Sequence, residues 1–421
     1  MRVAVLKEPD TETRIPLTPK SAEKLVKLGA EVEVERGLGE SIGVQDSAYE
    51  EVGAKVDSRY NLESADVILQ LNVPKPKEVE KLKRGAILAS LMDPFRNPEL
   101  VKTLKEKEIS SLCMELIPRS TYAQKMDALS SQASLAGYAA VITAAERIQK
   151  ALPMMSTPAG TIAPARVFVI GVGVAGLQAI ATAKRLGARV EAFDTRPSVE
   201  EQVQSLGAKF VKIDLGEMGQ TDQGYAKELT GEQLEKQRQG MAKVCAGSDI
   251  VITTAQLFGR PAPRIVTADM VKGMRPGSVI VDLAASTGGN VEGSKPNEEV
   301  LVNSVRIIGL SNLPGSVARD ASQMYSSNLA NLIDHLWNKE SKEVELKLDD
   351  PIVEGCLLTC KGKILNAGVR EMIEGKANKP DVKEGQVVGK QPVQNSAEQT
   401  PEKSPVTSSD TASEESVKGQ S

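Results

Sequence analysis

The chain has 421 residues, too many for one hydrophobic core, so two domains and additional segments are expected. Its 52 basic and 56 acidic side chains nearly cancel to a net charge of −4, which argues against nucleic acid as the main partner. Aromatic residues are only 3% of the chain, so the cores must be packed with Val, Ile, Leu and Ala.

Residues 2–6 read as a strand rather than a targeting signal, and no apolar run is long enough to cross a bilayer. Further strands are expected at 31–35, 67–71, 86–90 and 111–114, alternating with helices as in a parallel, covered sheet. One of these helices is predicted over 18–28, with Pro19 in its first turn and Gly29 just past its end. This first α/β domain has no glycine-rich phosphate loop and reads as the far wall of a cleft. A polar run follows, carrying Arg119, Gln124, Asp127 and Ser130 between a strand and a long helix predicted over 127–151. Loops at strand ends face the ligand crevice in such folds. Asp127 or Ser130 could equally be a helix cap; Arg119 and Gln124 have no such alternative role. Pro153, Pro158 and Pro164 then break the chain, and Cys113, Cys245, Cys356 and Cys360 match no zinc or redox spacing. All four read as reduced structural thiols of a cytoplasmic protein.

The most informative stretch comes next. A buried strand at 167–170 enters Gly171-x-Gly173-x-x-Gly176, a helix follows to Gly187, and a second strand at 190–193 ends on Asp194. Gly171 permits a tight turn, Gly173 lets backbone approach a pyrophosphate, and Gly176 allows close helix–strand packing. The N–H groups that open the helix then face the phosphates. Asp194 can accept both ribose hydroxyls of an adenosine, a contact of roughly 1.5–3 kcal/mol. A 2′-phosphate about 4 Å from that carboxylate would cost on the order of 4 kcal/mol at an effective dielectric near 20. Arg196 could offset part of this, so NAD(H) is favoured and NADP remains open.

Strands are expected near 209–213, 250–254, 278–282 and 306–310. Residues 216–240 are polar and glutamine-rich, with Tyr225 the one large amphipathic side chain, and read as a lid or a disordered loop. A second long helix is predicted over 319–337, with Tyr325, Leu329, Leu332, Ile333 and Leu336 on one stripe. His335, the only histidine, lies at the edge of that stripe and reads as a surface or packing residue. Residues 376–421 contain no aromatic, Leu, Ile or Met and are expected to be a disordered tail. The fold class is therefore α/β: two Rossmann-like, doubly wound parallel-sheet domains joined by long helices. The first would span 1–126 and 320–375, and the nucleotide-binding one 127–319.

The glycine turn, Phe193-Asp-Thr-Arg-Pro, the Arg119–Ser130 loop and Gly216-Glu-Met-Gly…Gly224-Tyr225 together resemble the NAD(H)-binding alpha subunit of proton-translocating nicotinamide nucleotide transhydrogenases. The resemblance implies that Arg119, Gln124, Asp127 and Ser130 position the nicotinamide, with Arg119, Gln124 and Asp127 closest to catalysis. It implies that Val174, Ala175 and Gly176 lie against the pyrophosphate and Asp194, Thr195 and Arg196 against the adenosine ribose. Gly224 and Tyr225 would belong to a loop that closes on the nucleotide, and Gln237 and Gln256 would line the site. NADP(H) would sit on a partner subunit, protons would move through membrane-spanning subunits, and this chain, as a homodimer, would attach to the inner membrane through them. The N-terminal segment from Lys7 to Pro19 is shared with alanine dehydrogenases. In that branch a lysine and a histidine of the first domain serve an amino acid substrate, whereas this chain has Asn72 in place of the lysine and no histidine there. An alanine-dehydrogenase-like enzyme and a non-enzymatic NAD(H)-sensing module are the alternatives.

Overall fold

The computed structural model describes residues 1–57, 62–213 and 230–375, with Leu234 traced through its backbone alone. Gly224, Tyr225 and the expected tail lie outside the described residues. An eight-stranded sheet gathers Lys363–Ile364, Leu357–Cys360, Ser110–Cys113, Ile87–Ser90, Val67–Leu69, Arg2–Val5, Glu31–Glu35 and Lys55–Asp57, in that spatial order. From Ser110–Cys113 onward the strands run parallel. Val67–Leu69 and Ile87–Ser90 are buried along their whole length, as parallel strands covered on both faces must be. Leu357–Cys360 and Lys363–Ile364 return late in the chain and extend the sheet antiparallel.

The second sheet has seven strands in the order Lys209–Phe210, Arg189–Phe193, Arg166–Ile170, Ile250–Thr253, Val279–Asp282, Val305–Ile308 and Glu299–Val302. All but the last are parallel. The chain winds outward in opposite directions from Arg166–Ile170, which places a topological switch point between it and Ile250–Thr253. An exposed hairpin, Met155–Thr157 with Gly160–Ile162, stands apart from both sheets.

Two long helices connect the halves. The first, Ala128–Arg147, ends four residues before the predicted position because Ile148 leaves helical backbone, at ψ 135°. Its small side chains serve close approach: a Cβ on Gly137 would stand 2.1 Å from the Ala175 carbonyl oxygen. The second, Ala318–Leu336, buries Tyr325, Leu329, Leu332, Ile333 and Leu336 against the first sheet. Tyr325, wholly enclosed, donates its hydroxyl to the Gln70 carbonyl at 2.9 Å. The polar segment 216–240 is not all loop, since a helix occupies Gly231–Gly247. Thr230 and Gln233 start it by a reciprocal capping box, while Met241 and Cys245 bury its far end. No helix among the described residues is long and apolar enough to cross a membrane. The four cysteines are free thiols, and burial pushes Cys245 and Cys356 up to about 12.

Candidate functional site

The strand Arg166–Ile170 delivers the chain into Gly171 at φ 92°, a left-handed conformation that glycine adopts without strain. The turn has no room for side chains. A Cβ on Gly171 would stand 2.7 Å from Thr254 Oγ1, and one on Gly176 would stand 2.0 Å from the Gly171 carbonyl oxygen. Gly173 is different: nothing lies within 4 Å of its would-be Cβ, and both Gly173 and Val174 are exposed. Backbone N–H groups opening the helix Val174–Arg185 are therefore reachable by a phosphate. Ala175, next along, faces the connector helix with its carbonyl.

Two side chains lock the turn from opposite sides. Thr254 donates its hydroxyl to the Gly171 carbonyl at 3.0 Å. Asp194 accepts the Val172 N–H at 2.7 Å and the Arg196 N–H at 2.9 Å, and holds the Arg196 guanidinium at 2.9 and 3.0 Å. Arg196 in turn reaches the Val172 carbonyl at 3.2 Å. Gly171, Gly176, Asp194, half-buried Thr195 and Arg196 thus belong to one hydrogen-bonded turn. Sequence reading set Asp194 and Arg196 against each other as rival contacts for a ribose or a 2′-phosphate; the structure pairs them. Thr254 was missed, its only signal being its place at a strand end.

Gln256 follows the neighbouring strand and donates its amide to the Leu283 carbonyl at 2.7 Å, so it too lies at the carboxyl edge of the sheet. Gln237 is buried one turn before Met241 on the helix Gly231–Gly247, on its packed side.

The facing loop leaves the first sheet at Cys113. Its first turn is anchored by Glu115, whose carboxylate accepts the Met92 and Asp93 N–H groups, each at 2.8 Å. Burial pushes that carboxyl above its usual range, and these bonds only partly oppose it. Arg119 is exposed, and Gln124 opens a 3-10 turn, Gln124–Met126, with its own amide exposed and without a partner among the described residues. Asp127 caps the connector helix, accepting the Ser130 N–H at 2.8 Å and the Ser130 hydroxyl. The capping role that sequence left open for this pair is what the structure shows, with oxygen lone pairs remaining on the cap.

A buried polar cluster spans both halves. Glu12 takes a bidentate grip from Arg14, Nε at 2.9 Å and Nη2 at 2.8 Å, and amides from Asn312 at 3.0 Å and Asn72 at 3.3 Å. Arg14 also donates to Gln132 at 2.8 Å. Asn72 gives its amide to Glu8 as well, at 3.0 Å. Burial would raise both carboxyls. For Glu12 the Arg14 contacts outweigh burial and hold it below the usual range; for Glu8 burial prevails. At the mouth of the cleft the Phe95 and Phe258 rings meet edge to face at 5.5 Å. No cluster of metal-binding side chains occurs among the described residues.

Known proteins share this arrangement. The family description "Alanine dehydrogenase/PNT, N-terminal domain" matches residues 4–136, and "Alanine dehydrogenase/PNT, C-terminal domain" matches 140–367. An NAD(P) transhydrogenase subunit alpha chain of Rickettsia prowazekii is 45% identical over 381 residues, 89% of this chain and 98% of that one. The alanine dehydrogenase of Halomonas elongata is 30% identical over 357 residues, 80% of this chain and 89% of that one. The crystal structure of transhydrogenase from Sinorhizobium meliloti superposes with a TM-score of 0.78 at 43% identity, covering 86% of this chain and 100% of that chain.

Proposed function

The chain belongs to the alanine dehydrogenase/PNT family, and from that premise we propose that it is the NAD(H)-binding alpha subunit of a proton-translocating NAD(P) transhydrogenase. The observation that carries this reading within the family is the state of the cleft wall. Asn72 is a neutral amide engaged by Glu8 and Glu12, and the only histidine, His335, is bonded to Asp350 at 2.7 Å. Neither is placed to trade protons with an amino acid, and a missing general acid costs typically 10²–10⁴-fold. Exchange between two nicotinamides needs none. The cofactor supplies the hydride.

In this reading the chain's own residues bind, orient and exclude water. The N–H groups around Gly173, Val174 and Ala175 hold the pyrophosphate, and Asp194 with Thr195 and Arg196 faces the adenosine ribose. Arg119, Gln124, Asp127 and Ser130 set the nicotinamide ring, Gln237 and Gln256 line the pocket, and Gly224 and Tyr225 close over it. NADP(H) sits on a partner subunit, and membrane subunits couple the transfer to proton movement and hold this chain at the inner membrane. The exposed hairpin, with Met154 65% and Met155 and Ile162 each 45% exposed, supports a homodimer, because an isolated two-stranded ribbon with bare apolar side chains needs a partner surface.

Purified alone with NAD and alanine, the chain should give no turnover, and with NADP(H)-binding and membrane subunits it should transfer hydride between the two nucleotides. Turnover of alanine by the chain alone would replace this reading with that of an amino-acid dehydrogenase.

Asp194→Ala should weaken NADH binding by about 10-fold or more, from the roughly 1.5–3 kcal/mol of a charge-assisted contact. NADPH should lose less, because the variant releases Arg196 for a 2′-phosphate. Calorimetric titration with both nucleotides decides it; a wild-type chain that prefers NADPH would contradict the specificity argument.

A further inference from the structure

One stripe of the second connector helix faces the loop that carries Arg119 and Gln124. Asn328 and Asn331, one turn apart, both donate side-chain amides to the Lys125 carbonyl, at 3.0 and 2.9 Å. Two donors fill both lone pairs of that oxygen. Neither amide can flip freely: Ser131 donates to Asn328 Oδ1 at 2.7 Å, and Lys24 to Asn331 Oδ1 at 2.9 Å. One further turn on, His335 completes the stripe. Its Nε2 meets Asp350 at 2.7 Å and its Nδ1 meets the Tyr122 hydroxyl at 3.3 Å, with the two rings edge to face at 5.5 Å. A carboxylate can only accept, so Nε2 carries the proton and, in the neutral ring, Nδ1 accepts from Tyr122. Asp350 is itself fixed as the cap of the helix Pro351–Cys356. Tyr122 is 63% exposed, so hydrophobic burial does not explain why it lies against His335.

We propose that Asn328, Asn331 and His335 are positioning residues for hydride transfer, holding the loop of residues 119–127 at Lys125 and Tyr122 so that Gln124 meets the nicotinamide at a fixed height. The inference rests on the reading of that loop as the nicotinamide loop. Gln124 lies between the two anchor points, Tyr122 on one side and Lys125 on the other. A loop held at both flanks of a reacting group has little slack, and a shift of about 1 Å in such a site can cost on the order of 100-fold. Residues that lock their neighbours set this precision without touching a substrate.

The test uses the chain assembled with its NADP(H)-binding and membrane subunits, together with NADH titration and thermal unfolding. Tyr122→Phe removes one exposed hydroxyl and should leave the unfolding temperature and NADH affinity unchanged within error. Hydride transfer should fall by about 10-fold in Tyr122→Phe and in His335→Phe, a fraction of the full misplacement effect. The double variant should be no slower than either single one, because both cut the same link. His335→Gln, which keeps a donor and an acceptor, should recover much of the rate. If Tyr122→Phe and His335→Phe transfer at the wild-type rate while Gln124→Ala is slow, the positioning role is overturned and the loop's own role stands. If Gln124→Ala is also fast, the nicotinamide-loop reading falls and this proposal with it.

Discussion

Replacing Gln124 by alanine should slow hydride transfer in the assembled complex by about 100-fold while changing NADH affinity no more than a few-fold. Two nicotinamides exchange hydride only when their C4 atoms come within about 3–3.5 Å, and the group that sets this approach acts on rate rather than on ground-state binding. Gln124 suits that task. Its amide is exposed, offers two donors and an acceptor, and takes no partner among the described residues. Being neutral, it favours neither the oxidised nor the reduced ring. Arg119→Ala and Asp127→Ala should instead weaken NADH binding, each losing a charged contact. Asp127 has a second effect to separate, because the helix cap it gives to Ala128–Arg147 is worth about 0.5–2 kcal/mol of stability. Stopped-flow transfer to an NADP analogue on the partner, beside equilibrium titration of NADH, distinguishes the two classes. Wild-type transfer by Gln124→Ala would reduce the residue to a loop amide.

The parts of the fold that were legible in the sequence are those where one segment contains its own reason. Val167–Ile170 is a buried apolar run, the glycines mark a turn that admits no Cβ, and Asp194 closes the same unit only a short distance down the chain. The stripe on Ala318–Leu336 was equally plain, since burial on one helix face is a local pattern. What escaped notice was set by partners distant in sequence. Leu357–Cys360 and Glu299–Val302 are short edge strands whose place is fixed by the strand they join. The helix Gly231–Gly247 has so polar a first half that its capping box was the one local cue. The capping of Asp127 by its own helix could be foreseen; the pairing of Asp194 with Arg196 could not, although they are neighbours. His335 was read as a packing residue because nothing near it in sequence reveals that Tyr122 and Asp350 meet its two nitrogens.

The cluster around Glu12 was the least readable feature, and it yields the largest expected stability effect. Arg14→Met should destabilise the protein by about 3–5 kcal/mol near neutral pH, the cost of leaving one member of a buried pair uncompensated. The two side chains are only 9% and 6% exposed, so solvent cannot take the place of the lost partner. The pH dependence identifies the cause. In the wild type, burial raises the Glu12 carboxyl but Arg14 outweighs it, and the folded value lies below the ordinary one. That depressed value contributes stability at pH above the unfolded pKa, and the contribution is lost as pH falls through the folded pKa. Without Arg14, burial dominates and the folded value should move above the ordinary one. The variant then loses stability as pH rises from about 4.3, the unfolded glutamate value, through its raised folded pKa. Both shifts act in the same direction, so the gap between the two proteins should be widest near pH 7 and narrow toward pH 4–5. Asn72, Asn312 and Gln132 remain in either case, and their lost bonds add a component that does not change with pH. Urea unfolding of both proteins across this range measures the gap. A deficit of constant size would mean that Arg14 contributes packing and neutral hydrogen bonds alone, and that the charge of Glu12 is accommodated without it.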